Sequence, residues 1–334
     1  MRFFLALIVV LSHLRNPFGP YLKEMNPHAA NILGVLLNHL FCGVGAVIAF
    51  FIISGFVIHY PNKHKTRLDV PEFYIKRLLR ICLPMVVLYF LLHPVNAKAI
   101  GKVPYWSLVC ELAYYILYPL LFAIKVKWKY KLYAVFIFST IVLITFNTGN
   151  IASLIYQHNI GYMGSYTNNN LFIISIIGLP CWMLGVMLAE RIDDLTYKVT
   201  KQKIWMWRGL IFITGMVLMV MVVHLYVSYA ISMNLFALLL YVWIEREIIY
   251  YRHHATSQTF EYFGKFSYSI YICHVPCIML LLQMGLRPGI YTYFLYIFII
   301  LVASYLFYLA VEYPSHRFAQ WLGNKAGRKE TVPQ

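Results

Sequence analysis

The sequence predicts an all-α, polytopic membrane bundle of about ten transmembrane helices, and three observations carry that prediction. Of the 334 residues, 61% are hydrophobic and only 12% charged, with a mean hydropathy of +0.68; a soluble domain carries roughly 25% charged residues. Apolar stretches close to the ~20 residues that cross a hydrocarbon core recur along the whole chain. The basic residues fall in alternate connections between those stretches, as the positive-inside rule asks of a multi-pass protein.

Taken in order, the apolar segments run over about 3–14, 32–59, 73–92, 104–124, 131–147, 170–190, 208–227, 229–245, 266–285 and 290–312. The first is short and follows Met1-Arg2, which gives it the outline of a secretory signal peptide. Yet Leu14-Arg15-Asn16-Pro17 is a poor match to a small-residue cleavage site, and His13 interrupts the apolar run. A retained helix is the preferred reading, with a start codon further upstream as the alternative.

With the N-terminus in the cytoplasm, the inward set is Arg2 and the basic residues of 63–80, 125–131, 191–208, 246–265 and 317–329. Only Arg15, Lys23, Lys98, Lys102 and Arg287 are left outside, so 23 of the 28 Lys and Arg face inward. An even number of spans then puts both termini in the cytoplasm. The formal net charge of +16 becomes a topology signal, and nothing in its pattern resembles a nucleic-acid-binding module.

No connection is long enough to hold a soluble domain, so the chemistry belongs within the bundle or at its mouths. The longest outside loop, Asn147 to Asn170, carries no Lys, Arg, Asp or Glu. Residues 1–322 read as the transmembrane domain and 323–334 as a solvated cytoplasmic tail. All six cysteines lie in apolar segments, where they behave as small hydrophobes, and no disulfide is expected.

Ionisable residues inside apolar segments mark functional candidates, because each costs several kcal/mol to place there. Arg2 and His13, eleven residues apart, share one face of the first helix, separated by roughly 16 Å. The plainer reading is a snorkelling arginine and an interfacial histidine. Arg77 and Arg80, three apart, are neighbours on a helix and form a paired clamp for phosphate, or else an ordinary basic flank for anionic lipid. Glu111 lies about seven residues, roughly 10 Å, inside its segment, where a carboxylate faces the interior and is paired, hydrated or protonated. His274 is similarly deep, and a structural role suits it as well as a catalytic one. Cys273, His274 and Cys277 form a single cluster without a second ligand pair, so no metal is expected.

These blocks together resemble the acyltransferase-3 family of bacterial multi-pass membrane O-acyltransferases over almost the whole chain. The resemblance rests on Arg2 and His13 with ten residues between them, and on the stretch Gly45 to Phe56 with Phe50-Phe51-Ile52-Ile53-Ser54-Gly55-Phe56. It continues with the Arg77/Arg80 pair before Pro84, then Trp106-Ser107-Leu108 followed by Glu111 and Tyr115. Ser267-Tyr268 with Tyr271 and His274, and finally Glu312-Tyr313-Pro314, complete it. Family members usually have a few more residues before the arginine and a glycine after it; here Met1 precedes Arg2 and Phe3 follows. With no extracytoplasmic hydrolase-like domain fused at the C-terminus, the chain resembles the stand-alone form.

The resemblance implies transfer of an acyl group, commonly acetyl from acetyl-CoA as donor substrate, to a hydroxyl of a cell-surface polysaccharide or its lipid-linked precursor in the bacterial inner membrane. It implies donor phosphates on Arg77 and Arg80, with Arg2 joining them or stabilising negative charge on the thioester oxygen. His13 then serves as general base, with Glu111 orienting it or an essential tyrosine; a covalent acyl-histidine is the other route. Trp106, Tyr115, Ser267, Tyr271 and His274 are expected to line the substrate pocket. The competing class is a transporter or flippase of a lipid-linked glycan, which calls for broken helices and repeat symmetry around a midplane site.

Overall fold

The computed structural model describes residues 1–14, 16–18, 27–100, 105–157, 170–224, 229–287 and 289–330. Among them every regular element is helical. In a bilayer this follows from the backbone, whose N–H and C=O groups have no water to bond and are satisfied within each helix.

Helix α1 (Arg2–His13) is a 12-residue apolar helix, about 18 Å long, with Leu5, Ala6, Val9 and Val10 buried. Next come α2 (Pro27–Asn38) and α3 (Gly43–His59). The sequence reads 32–59 as a single helix, but the structure breaks it at 39–42. There the Cys42 thiol caps α3 by accepting from the Gly45 amide at 3.3 Å, and Gly43 lets the chain close onto Ser12 of α1.

Helix α4 (Val70–Ile100) begins behind Asp69, whose carboxylate accepts from the Glu72 amide at 2.9 Å, a normal N-cap. Helices α5 (Tyr105–Ala123), α6 (Trp128–Gln157), α7 (Leu171–Arg191), α8 (Lys201–His224) and α9 (Tyr229–Arg252) follow. Helix α6 runs ten residues past its expected end at 147, so the first part of the supposed loop 147–170 is helical; 158–169 lie outside the described residues. Arg15, Lys23 and Lys102, expected on the outer side, also lie outside them.

The short α10 (Gln258–Lys265) meets α11 (Ser267–Gln283) at a 59° bend. Helix α12 (Ile290–Phe307) passes through a single π turn, Tyr308–Glu312, into α13 (Tyr313–Glu330). The expected tail boundary at 322/323 falls inside α13. Gly323 and Gly327 press against Lys76, Asp69 and Glu72 at the start of α4, while Asn324 and Lys325 between them are exposed. Among the described residues six helical stretches are long and apolar enough to cross a membrane, or seven if the bent α10–α11 pair is counted as one span.

Two contacts fix the centre. Helices α3 and α7 cross so closely that a Cβ on Gly55 would sit 2.1 Å from the Trp182 carbonyl oxygen, and one on Gly185 would sit 1.9 Å from that of Ile52. Fully buried His59 then ties three helices together. Its Nε2–H donates to Glu190 Oε1 of α7 at 2.6 Å, and its Nδ1 accepts from the Tyr118 hydroxyl of α5 at 3.0 Å. At the same end Asp193 pairs with Lys63 and, at 2.9 Å, with Arg252. Met1 and Arg2 share a cavity with Arg252, Lys265 and His316. The N-terminus and these basic connections therefore meet at one end of the bundle.

Candidate active site

Helical periodicity assembles the site. On α5, Ser107, Glu111 and Tyr115 repeat every four residues and share a face; Arg77, Arg80 and Ile81 do so on α4, and Ser267 and Tyr271 on α11. These faces converge with Ser54 of α3 and Arg2 of α1 around an interior cavity of about 100 Å³.

Within it, Glu111 Oε1 accepts two hydrogen bonds, from Ser54 Oγ at 2.8 Å and from the Tyr115 hydroxyl at 2.5 Å. Trp182 Nε1 donates to Ser54 from behind at 3.4 Å. Across the cavity Ser107 Oγ and the Tyr271 hydroxyl lie 2.5 Å apart, and Tyr268 donates to the Ile81 carbonyl at 2.9 Å. The hydroxyl groups thus pin one carboxylate and tie α3, α4, α5 and α11 together around it.

The three arginines are different. None of the ion pairs among the described residues involves Arg2, Arg77 or Arg80, so no carboxylate oxygen lies within 4 Å of their guanidinium nitrogens. Arg2 and Arg80 also form the inner wall of a second cavity of about 920 Å³ at the end of the bundle where the basic connections gather. That larger space contains Arg252, Lys265 and His316 as well as Glu247, Glu261 and Glu312. Glu247 is already engaged by a two-pronged contact from Arg208 at 2.7 and 2.9 Å. Glu312, displaced inward by the π turn, accepts from the Ser269 amide at 3.1 Å and hydroxyl at 2.5 Å, and so caps the start of α11.

Arg2, Arg77, Arg80, Glu111, Tyr115, Ser267 and Tyr271 are all brought together as the sequence pattern suggests. Trp106 and His274, expected to line the same pocket, do not. Trp106 turns its ring edge-on to Phe51 at 6.3 Å. His274 is fully buried one turn beyond Tyr271, where its ring lies 4.9 Å from that of His13. His13 is exposed at the far end of α1 and bonds to Val9 O at 2.8 Å, so Glu111 holds a tyrosine and a serine rather than the histidine. Phe50 and Tyr271, edge to face at 6.3 Å, both line the arginine cavity, and the Tyr271 ring lies 5.9 Å from that of His274. Ser54, Tyr268 and Glu312 belong to the site although sequence reasoning gave them no role; their signal was membership in the quoted motifs.

Among the described residues no group of three or more His, Cys, Asp or Glu side chains is placed to hold a metal ion. No curated protein and no solved structure matches the chain. A family model described as an acyltransferase domain does match, over residues 1–309 of 334, and the chain therefore belongs to the acyltransferase-3 family of membrane acyltransferases.

Proposed function

We propose that the protein transfers an acetyl group from acetyl-CoA, held from the cytoplasmic side, to a hydroxyl of a cell-surface polysaccharide or its lipid-linked precursor in the bacterial inner membrane. One observation carries the donor half: three guanidiniums without carboxylate partners among the described residues line one cavity, two of them also lining a second, and a half-buried cation cluster of this kind calls for an anionic ligand. Planar guanidiniums suit phosphate through paired hydrogen bonds. The 920 Å³ cavity has room for a nucleotide head, with the narrower cavity beyond Arg2 and Arg80 suited to a thin arm.

In the reaction the acceptor oxygen attacks the thioester carbonyl carbon, its proton passes to a base, the carbon–sulfur bond breaks, and CoA leaves as the thiolate that later regains a proton. His13 is the base in this reading. Its Nδ1 bonds to a carbonyl oxygen, which can only accept, so Nδ1 carries the proton and Nε2 presents a free lone pair.

The direct test is calorimetry on detergent-purified protein. The Arg77→Ala/Arg80→Ala double variant is expected to bind acetyl-CoA at least tenfold more weakly than wild type, with glycan binding little changed. Unchanged acetyl-CoA affinity would place the donor elsewhere.

A further inference from the structure

Three consecutive residues at the start of α11 each reach a different element. The Ser267 hydroxyl donates to the Gly264 carbonyl of α10 at 3.0 Å, and Ser269 is held through its amide and hydroxyl by Glu312 at the π turn. Between them the Tyr268 hydroxyl donates to the Ile81 carbonyl of α4 at 2.9 Å. The first turn of α11, just past its 59° bend from α10, is therefore fixed on two sides, and Tyr268 carries that fixed point across to α4.

The atom that Tyr268 grips lies next to Arg80, where the backbone ladder of α4 is interrupted. In an α-helix the carbonyl of residue i accepts from the amide of residue i+4, and Pro84 has no N–H to give the Arg80 carbonyl. The proline ring also crowds that same carbonyl and opens the turn. On the other side of the arginines, Gly323 and Gly327 of α13 hold α4 at Lys76, Asp69 and Glu72. The turn carrying Arg77 and Arg80 is thus packed at its start, while towards the proline it lacks a backbone bond of its own and has the Tyr268 hydroxyl one residue further on.

We propose that Tyr268 is a positioning residue for the donor: its hydrogen bond to the backbone beside Arg80 sets where the Arg77/Arg80 pair stands relative to α11, and through that pair how tightly the donor's phosphates are held. This rests on the reading of the arginine cavity as the donor site. Tyr268 acts through the arginines and not by touching the pantetheine arm or the acyl group.

Tyr268→Phe removes the hydroxyl and keeps the ring that lines the cavity. ADP separates the two ways of acting, because it carries adjacent phosphates but neither arm nor thioester. Acetyl-CoA affinity is measured by calorimetry on detergent-purified protein and ADP affinity by displacement of acetyl-CoA, with the thermal midpoint as the control for folding. Turnover is followed as CoA release with the host's lipid-linked glycan fraction as acceptor. The Phe variant is expected to bind both ligands about three- to tenfold more weakly, the scale of one hydrogen bond, with KM for acetyl-CoA raised by the same factor and kcat retained. In the Arg77→Ala/Arg80→Ala background the same substitution is expected to cost nothing further, since the groups it positions are gone. A loss confined to acetyl-CoA would mean direct contact with the arm or acyl group and overturn the proposal. Unchanged affinity for both ligands, an equal loss with and without the arginines, or a fall in kcat larger than the loss in affinity would overturn it too. ADP that fails to displace acetyl-CoA from wild type, or full acetyl-CoA affinity in the double arginine variant, refutes the donor site itself and the positioning role with it.

Discussion

A single arginine at the centre of a membrane helix costs about 2.5–3.5 kcal/mol on insertion scales, and Arg2, Arg77 and Arg80 all border one cavity. That cost is why these residues were legible in the sequence: a cation in an apolar run stands out without any structure. Glu111 was legible for the same reason. Serine and tyrosine carry no such penalty, so Ser54 and Tyr268 gave no comparable signal, although Ser54 holds the carboxylate and Tyr268 lines the cavity. Trp106, named for its place in a motif, does not line this cavity. It lies five residues before Glu111, about 140° round the helix, so it faces away from the cavity by periodicity alone. At this scale the sharpest prediction concerns His13. Its replacement by Ala is expected to leave the protein folded and membrane-inserted while lowering acyl transfer by about 10²–10⁴, the usual worth of a general base. Glycan acylation followed by mass spectrometry is the check, and a wild-type level from correctly inserted protein would remove His13 from the reaction.

Helix existence was readable from hydropathy, while helix ends were not, and the reasons differ from element to element. The break at 39–42 depends on a thiol cap and on glycine at 43, neither of which interrupts an apolar count. The continuation of α6 past 147 runs through Asn147-Thr148-Gly149-Asn150, whose poor helix propensity costs only about 0.5–1 kcal/mol per residue and is readily overridden by context. The continuation of α13 through the expected boundary at 322/323 gave no apolar signal, because this helix is polar on average; its glycines at 323 and 327 meet α4, and that contact is invisible to composition. The α3–α7 crossing yields a prediction of its own. With the place of a Cβ on Gly185 only 1.9 Å from a backbone oxygen, Gly185→Ala has no flexible side chain to displace and must push two central helices apart. Overpacking of this kind costs about 1–3 kcal/mol. Thermal unfolding in detergent is expected to show a lower midpoint for Gly185→Ala than for Gly209→Ala, where an added Cβ meets open space. Equal midpoints would mean that the crossing is looser than described.

For the molecule as a whole, the arrangement of charge implies a direction. The ends carrying Arg2, Lys63, Asp193, Arg252 and Lys265 come together through one large cavity and shared ion pairs. The proposed base lies at the opposite end of α1, roughly 16 Å of helix away. If the basic end is cytoplasmic, as the positive-inside rule directs, donor and acceptor approach from opposite faces and the acyl group has to travel from the arginine cavity past Tyr271 towards the histidines. A donor anchored by its phosphates at Arg77 and Arg80 needs the cavity wall on the side of Tyr271 to open, because Tyr271 lies 5.9 Å from His274, His274 lies 4.9 Å from His13, and His13 is not among the cavity's lining residues. Purified protein in sealed vesicles tests the direction, with orientation fixed by protease access to the connections carrying Lys63 and Lys265. Acetyl-CoA supplied at the basic face is expected to acylate lipid-linked glycan presented at the other face, and the same donor supplied only at the opposite face is expected to give none. Efficient transfer with donor and acceptor both confined to the basic face, together with none across the vesicle wall, would make the protein a single-sided transferase. The wall at Tyr271 would then be a permanent floor to the site instead of a gate.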